Sequence, residues 1–244
     1  MKSFKDMSFL KTISIEIGTR CNLSQLHSVC PAHYLKREDK EGMSDTKILE
    51  IMDQANTLGF KGYFAFHFYN EPLLYIDRID KLHRARPDYK LLLWSNGTLI
   101  KHVLDSGYDF NIFDKIVFTK YKESDIEMMN YIRSVHVDTE IYDAEMDDRL
   151  SFYQGDVENY YACKKVYIEM PIDYKGNVYI CTYDWKGEYI IGNLQEQTLD
   201  DLLYSDKYQL ILNENIGSLR HDSCINLCRH CPRPCIKPLI ISNK

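Results

Sequence analysis

The first 150 residues of this 244-residue chain alternate between segments with the pattern of a strand and segments with the pattern of a helix. Residues 10–18 are rich in β-branched side chains, which favour strands, whereas apolar residues recur at helical spacing over 44–58. Ser44 or Asp45 can cap that helix, and Gly59 can end it. The alternation predicts further strands at 62–69, 90–95, 115–120 and 136–142, and helices near 77–85, 98–106 and 123–133. Strands separated by helices pair in parallel through right-handed crossovers.

This number of strand–helix units predicts an incomplete barrel. About five units fit before residue 150, which is too few for a closed barrel of eight strands. We therefore predict an α/β fold whose main part is a partial (β/α)6 TIM-like barrel. In such folds the chemistry lies at the carboxyl ends of the strands. Three polar loops follow strands and should converge on one rim: the loop with Cys21 and Cys30, Asn70-Glu71-Pro72, and Ser95-Asn96-Gly97.

The pattern changes after about residue 150. Residues 166–184 predict a β-hairpin whose turn is Lys175-Gly176-Asn177, and a helix is predicted near 198–213. The chain therefore divides into a partial barrel over 1–150 and a small second domain, with a hairpin and a helix, over 151–244.

Composition and charge narrow the functional class. Hydrophobic residues make up 45% of the chain and charged residues 27%, which is typical of soluble globular proteins. A net charge of −6 gives no reason to expect nucleic acid as a partner. No apolar run reaches the roughly 18 residues of a membrane span, and the first residues lack the apolar core of a signal peptide. We expect a cytoplasmic protein that binds neither membrane nor nucleic acid.

Eight cysteines are many for a cytosolic chain, where disulfides are disfavoured and closely spaced cysteines are more often metal ligands. Cys21 and Cys30 lie near the amino terminus. The other six lie beyond residue 160: Cys163, Cys181, Cys224, Cys228, Cys231 and Cys235. Their spacing suits an iron–sulfur cluster and a structural zinc ion about equally well. A cysteine nucleophile is less favoured, since no thiol is marked by a neighbouring base.

Four segments around the later cysteines form a recognisable series: Cys163-x12-Gly176-x4-Cys181, Asp184-Trp185, Ile191-Gly192-Asn193-Leu194 and Leu227-Cys228-Arg229-His230-Cys231. This series resembles the SPASM/twitch extension of radical S-adenosylmethionine (SAM) enzymes. In the shorter, twitch form, four cysteines hold one auxiliary [4Fe-4S] cluster. The resemblance implies four ligands: Cys163, Cys181, Cys228 and Cys231. Cys224 and Cys235 are then surplus, and they either belong to a fuller SPASM arrangement or replace one of the four.

Residues 16–23 (Glu-Ile-Gly-Thr-Arg-Cys-Asn-Leu), followed by Cys30-Pro31, are similar to the radical SAM signature itself. In that family a C-x3-C-x2-C loop after the first strand binds three irons of a [4Fe-4S] cluster, and the fourth iron takes SAM. Here Gln25 stands where the second cysteine is expected. Counting back from Cys30 instead places His27 at that position.

Three interpretations of this altered motif stay open. His27 can be the third ligand, with His33 as another candidate. Two cysteines can hold the cluster together with an unidentified group, or the site can be degenerate and inactive. Imidazole in place of thiolate removes negative charge and raises the reduction potential, which works against reductive cleavage of SAM.

Two further segments resemble the SAM-binding motifs of the family. Residues 69–74 (Tyr-Asn-Glu-Pro-Leu-Leu) are similar to the GGEP segment, which holds the amino group of SAM, and Ser95-Asn96-Gly97 to the segment that meets the ribose hydroxyls. A carboxylate suits an ammonium, and hydroxyl and amide groups suit hydroxyls. Four residues are therefore candidates for binding the cofactor: Glu71, Ser95, Asn96 and Thr119.

Within this family the chain most resembles dehydrogenases that oxidise an aminocyclitol alcohol to a ketone. The resemblance implies an oxidoreductase that cleaves SAM to a 5′-deoxyadenosyl radical, removes hydrogen from a carbon bearing a hydroxyl, and passes one electron to the auxiliary cluster. The substrate would be a polar small molecule such as a sugar or aminocyclitol, and the electron donor a flavodoxin or ferredoxin. Arg149 is the candidate catalytic residue, although a surface ion pair with Asp147 or Asp148 also accounts for it.

Two alternative functions stay open. One is a radical SAM enzyme that modifies a peptide, although no additional peptide-binding domain is evident at the amino terminus. The other is a catalytically degenerate iron–sulfur or zinc protein, which the missing cysteine favours. Formation of 5′-deoxyadenosine from SAM separates both enzymes from the degenerate protein.

Overall fold

The computed structural model describes residues 5–35, 42–136, 138–144 and 165–214. Eight strands are present within these ranges: β1 Thr12–Ile15, β2 Tyr63–Ala65, β3 Leu91–Ser95, β4 Lys115–Lys120, β5 Thr139–Asp143, β6 Glu169–Ile172, β7 Asn177–Tyr179 and β8 Ile190–Asn193. The helices of the same ranges are α1 Pro31–Tyr34, α2 Asp45–Thr57, α3 Ile76–Ala85, α4 Ile100–Asp105, α5 Ile126–Val135, α6 Leu199–Tyr204 and α7 Asp206–Glu214. Single 3-10 turns occupy Pro72–Tyr75, Glu123–Asp125 and Lys165–Tyr167.

The eight strands form one sheet in the order β5-β4-β3-β2-β1-β6-β7-β8. Every neighbouring pair from β5 to β6 is parallel, whereas β7 and β8 are antiparallel additions. Six parallel strands with helices between them confirm the predicted α/β class and agree with a partial barrel. β6, the first strand of the predicted hairpin, lies beside β1, with Thr12 opposite Glu169 and Ile15 opposite Ile172. The sheet thus runs without a break from the first region into the second, and the division at residue 150 stays a prediction.

The two faces of the sheet differ because successive side chains of a strand point to opposite sides. On one face, alternate strand residues join the helices in a single large apolar core that includes Ile13, Phe64, Leu93 and Phe118. We call the opposite face the inner face. It carries a separate small apolar cluster and several polar side chains, described below.

Helix α2 begins and ends where the sequence predicts. The hydroxyl of Ser44 accepts a hydrogen bond from the Lys47 amide at 3.2 Å, which satisfies a donor that the first turn leaves unpaired. Gly59 follows the helix with φ of +84°, a conformation that favours glycine.

Three predicted elements differ clearly from the sequence expectation, and the first of them, the strand predicted at 10–18, is observed over Thr12–Ile15. The strand predicted at 62–69 ends at Ala65, because the side chain of Asn70 accepts a hydrogen bond from the Phe68 amide and donates one to the Phe66 carbonyl. These bonds replace the pairing that a longer strand would need. The single helix predicted near 198–213 is two helices, which meet at Ser205 in an extended conformation.

Across the described part of the chain, no helix has both the length and the apolar character needed to cross a bilayer.

Candidate functional site

The three predicted polar loops are joined by direct hydrogen bonds at the carboxyl ends of β1, β2 and β3. The backbone amide of Glu71 donates to the carbonyl of Arg20 at 2.8 Å, which joins the β2 loop to the β1 loop. The side chain of Glu71 then reaches the β3 loop at Ser95 and Asn96. The expected convergence on one rim is present in the structure.

The Glu71 carboxylate is at the centre of this arrangement and is only 2% exposed. It accepts hydrogen bonds from the Ser95 hydroxyl at 2.6 Å, the Asn96 amide at 3.0 Å and the Leu73 amide at 3.0 Å. Burial raises the pKa of Glu71, and the three donors oppose that rise. Because an ionised carboxylate has about four acceptor positions, the three bonds leave about one for a further donor.

Asn96 joins the β3 loop to the loop that carries Cys21. Its amide donates to the Asn22 side chain at 2.9 Å, and Asn22 in turn donates to the Thr98 hydroxyl at 2.7 Å. Thr98 closes the ring by donating to the Asn96 side chain at 2.6 Å. The sequence analysis gave no role to Asn22, which lies within the 16–23 segment, or to Thr98, which directly follows Ser95-Asn96-Gly97.

The thiols of Cys21 and Cys30 lie on the same loop, and both residues are partly buried. Burial raises the pKa of Cys21 to about 11, and the neighbouring Glu71 and Cys30 add to the rise because their negative charges disfavour a second one. Two thiolates beside a buried carboxylate are stable only with a cation among them. The donor set therefore fits a positively charged iron centre.

The two candidate histidines, His27 in this loop and His33 in α1, have different surroundings. His27 is 8% exposed, its ring centroid lies 5.3 Å from that of Tyr121, and its carbonyl accepts from the Cys30 amide at 3.0 Å. The Nδ1 atom of His33 is 2.7 Å from the Ser24 carbonyl. Over the ranges given above, no three His, Cys, Asp or Glu side chains converge to hold a metal. The third ligand therefore stays a prediction.

The predicted auxiliary site is represented in the described residues by Cys181, which is partly buried after β7. Its sulfur accepts a hydrogen bond from the Tyr183 amide at 3.4 Å. The Tyr69 hydroxyl donates to the Thr182 carbonyl at 2.6 Å, so the loop of Cys181 is held by a residue of the β2 loop. The remaining predicted residues lie outside the described ranges: Arg149, Cys163, Cys224, Cys228, Cys231 and Cys235.

A polar group that sequence reasoning missed lies on the inner face; we call it the inner cluster, and it consists of Ser14, His67, Lys165 and Glu169. Glu169 accepts from the Ser14 hydroxyl at 3.1 Å and pairs with Lys165 at 3.2 Å. Burial opposes the ionisation of Glu169, but Lys165 and His67 outweigh it and hold the pKa of Glu169 below its ordinary value. The signal was in the sequence, since polar residues alternate with isoleucine in β1 and precede Met170 in β6.

Thr119, predicted to bind the cofactor, contacts an aromatic residue of the neighbouring strand. Its hydroxyl accepts a hydrogen bond of 3.1 Å from the indole N–H of Trp94. Trp94 directly precedes Ser95, which is opposite Phe118, so Thr119 of β4 lies beside the end of β3. Whether Thr119 contacts the cofactor stays a prediction.

Known proteins resemble the chain over both regions. Residues 163–232 match the family model of SPASM, an iron–sulfur cluster-binding domain, and this span includes five of the cysteines: Cys163, Cys181, Cys224, Cys228 and Cys231. The chain is 25% identical over 240 residues to the S-adenosyl-L-methionine-dependent 2-deoxy-scyllo-inosamine dehydrogenase of Niallia circulans, covering 90% of this chain and 91% of that protein.

Solved structures show the same fold. The crystal structure of BtrN in complex with AdoMet and 2-DOIA superposes with a TM-score of 0.71 at 22% identity, over 92% of this chain and 93% of that one. Streptococcus suis SuiB bound to its precursor peptide SuiA gives a TM-score of 0.52 at 15% identity, over 93% of this chain and 72% of SuiB. Together with the SPASM match and the related dehydrogenase, these structures confirm the predicted resemblance to radical SAM enzymes that carry a SPASM or twitch domain.

Proposed function

We propose that the chain is a radical SAM oxidoreductase that oxidises an alcohol group of a polar small molecule, such as a sugar or an aminocyclitol, to a ketone. The observation that carries this proposal is the joining of the β1, β2 and β3 loops through Glu71, at the strand ends where SAM would bind. The dehydrogenase of Niallia circulans, whose name specifies both SAM and an aminocyclitol, is similar along nearly the whole chain and supports the same conclusion.

Each loop has a distinct role in this proposal. Cys21 and Cys30 would hold the SAM-binding [4Fe-4S] cluster, with His27 as the third ligand. Glu71 has about one acceptor position left for the ammonium of SAM. Ser95 and Asn96 keep the β3 loop in place at the ribose. The reduced cluster would supply the electron that cleaves SAM to methionine and the 5′-deoxyadenosyl radical.

The oxidation removes two electrons from the substrate, and the proposal gives an acceptor for each. Cleavage of SAM would supply the radical that removes one hydrogen atom from the carbon bearing the hydroxyl. Release of the hydroxyl proton to solvent and loss of one more electron would then give the ketone. The auxiliary [4Fe-4S] cluster, with Cys163, Cys181, Cys228 and Cys231 as its proposed ligands, would accept that electron. Arg149 would contact the substrate as the candidate catalytic residue. A flavodoxin or ferredoxin of the cytoplasm would reduce the SAM-binding cluster.

A degenerate iron–sulfur protein is the second candidate, and one specific observation favours it. Gln25 replaces the second cysteine of the signature, and no third metal ligand is assembled beside Cys21 and Cys30 in the described residues. Such a protein would bind an auxiliary cluster and would not cleave SAM.

The test is formation of 5′-deoxyadenosine by the anaerobically reconstituted enzyme, with SAM, dithionite and 2-deoxy-scyllo-inosamine. Wild type should form 5′-deoxyadenosine and a ketone, and Cys21→Ala should form neither. The matched control is Gln25→Ala, which removes an exposed side chain from the same loop and should stay within about twofold of wild type. Absence of 5′-deoxyadenosine from a fully loaded wild type would establish the degenerate protein instead.

A further inference from the structure

Trp94 is exposed at a position where a tryptophan is normally buried. It lies in β3, which is paired on both sides by β2 and β4, yet 45% of its surface is exposed. Its strand neighbours Leu93 and Ser95 are 1% and 3% exposed. Since burial of a large aromatic ring contributes strongly to stability, an exposed ring on a central strand indicates a surface kept for a ligand.

The indole of Trp94 is held in one orientation by polar contacts. Its N–H donates to the Thr119 hydroxyl at 3.1 Å, and the His67 ring centroid is 5.8 Å away, in the loop that follows β2. The ring is therefore fixed before any ligand arrives, which reduces the entropy that binding would cost.

The surroundings of Trp94 are apolar on one side and polar on the other. The small apolar cluster of the inner face consists of Leu92, on the same strand as Trp94, and of Ala65 and Val117 on the flanking strands β2 and β4. The His67 ring centroid lies 5.8 Å from that of Trp94, and His67 also contributes to lowering the pKa of Glu169. An apolar floor next to hydrogen-bonding side chains is the usual composition of a small-molecule site.

The charged pair of the inner cluster, Glu169 and Lys165, can bind the hydroxyl and amino groups of a ligand. The Glu169 carboxylate is held by Ser14 and Lys165 and can accept from a hydroxyl or an ammonium. The Lys165 ammonium also donates to the Thr182 hydroxyl at 3.1 Å and lies 5.2 Å from the Tyr183 ring centroid. Lys165 thus connects the inner face with the loop of Cys181.

We propose that Trp94 is the floor of the substrate site and stacks against the C–H face of a six-membered polyol ring. The pair of Glu169 and Lys165 then binds the hydroxyl or amino groups at the edge of that ring. The inference rests on the proposed oxidation of a sugar or aminocyclitol and adds the residues that would bind its ring. Such a ring has an apolar face for the electron-rich indole and a polar edge for the charged pair.

The test is anaerobic calorimetry on the reconstituted, SAM-loaded enzyme, with 2-deoxy-scyllo-inosamine and myo-inositol as probes. Trp94→Ala should weaken the Kd of the probes about tenfold, which corresponds to about 1.4 kcal/mol of lost stacking. Trp94→Phe should lie between wild type and Trp94→Ala. Glu169→Gln should weaken binding of the amino-bearing probe more than that of myo-inositol. The matched control is Tyr131→Ala, which removes a 51% exposed aromatic from the outer helix α5 and should leave the Kd unchanged.

Two results would overturn the inference. One is a Kd of Trp94→Ala within twofold of wild type for every probe that wild type binds. The other is a wild type that binds neither probe. Calorimetry needs no turnover, so it decides this site even where SAM cleavage fails. If wild type binds the probes tightly but forms no 5′-deoxyadenosine, the proposed function is contradicted and the inferred substrate site is still supported.

Discussion

The hydroxyl of Ser95 donates a 2.6 Å hydrogen bond to the carboxylate of Glu71, and both residues are at most 3% exposed. This one contact joins the loops that follow β2 and β3. A buried carboxylate that accepts three hydrogen bonds contributes to the fold as well as to a ligand site, because each donor would otherwise be unsatisfied.

Glu71→Ala should therefore destabilise the protein even without cofactors. Three buried donors, on Ser95, Asn96 and Leu73, would lose their acceptor, at a cost of roughly 3 kcal/mol. Urea unfolding of the apoprotein, followed by circular dichroism, measures this loss. Glu123→Ala is the control, because the side chain of Glu123 is 80% exposed and its ion pair with Lys120 should matter little. Equal stabilities of the two variants would show that Glu71 has no part in joining the loops.

Arg78 should anchor the start of the loop that carries Cys21. Its guanidinium donates to the Ile17 carbonyl at 2.7 Å, to the Met43 carbonyl, and to Asp45 at 2.6 Å. Arg78→Met leaves the two carbonyls without this donor, so we expect a loss of about 2–4 kcal/mol in urea unfolding. Arg84→Met, at a residue whose side chain is 77% exposed, should change the stability by less than about 0.5 kcal/mol. An Arg78 variant as stable as the Arg84 variant would refute this role.

The lowered pKa of Asp45 predicts how the stability of the protein depends on pH. Burial disfavours its charge, but the hydrogen bonds from Lys81 and Arg78 prevail and hold the pKa of Asp45 below its ordinary value of 3.8. A carboxyl whose pKa is lowered by folding stabilises the protein above its unfolded pKa, and this contribution is lost as the pH falls through the folded pKa. The stability difference between wild type and Asp45→Asn should be largest near pH 7 and should shrink below about pH 4. Urea unfolding at several pH values measures it, and a difference that grows on acidification would contradict the assignment.

Tyr69→Phe should loosen the loop of Cys181 without altering the sheet. The substitution keeps the ring, whose centroid is 4.0 Å from that of Phe68, and removes the 2.6 Å hydrogen bond to the Thr182 carbonyl. A bond worth about 1 kcal/mol corresponds to roughly fivefold faster opening of the loop. The rate of iron loss to a chelator should rise by about that factor, whereas Tyr131→Phe on α5 should match wild type. Unchanged iron loss in Tyr69→Phe would mean that this contact does not support the auxiliary site.

The sequence predicted the elements of the fold more closely than their ends or their arrangement. The strand at 115–120 and the bounds of α2 followed from periodicity and capping alone. The early end of β2 did not, because a side-chain hydrogen bond of Asn70 competes with strand pairing. The position of β6 beside β1 also could not be predicted, since pairing across about 150 residues leaves no local pattern.

The candidate site was predictable to a similar extent. Motifs with a recognisable order identified Glu71, Ser95 and Cys21, which the structure brings to one rim. The inner cluster was missed because Ser14 and Glu169 are 155 residues apart in the sequence and meet only after the sheet has formed. Trp94 was missed for a different reason: its exposure is set by the neighbouring strands and not by the residues next to it in sequence.

Iron and sulfide quantitation after anaerobic reconstitution tests the central claim most directly, on wild type and on His27→Ala. Two [4Fe-4S] clusters require about eight irons and eight sulfides per chain in wild type. With His27 as the third ligand at Cys21 and Cys30, the variant should fall to about four irons, and it should lose 5′-deoxyadenosine formation with them. About four irons in both proteins would mean that only the carboxyl-terminal cluster exists, and zinc in place of iron would contradict the iron–sulfur assignment itself.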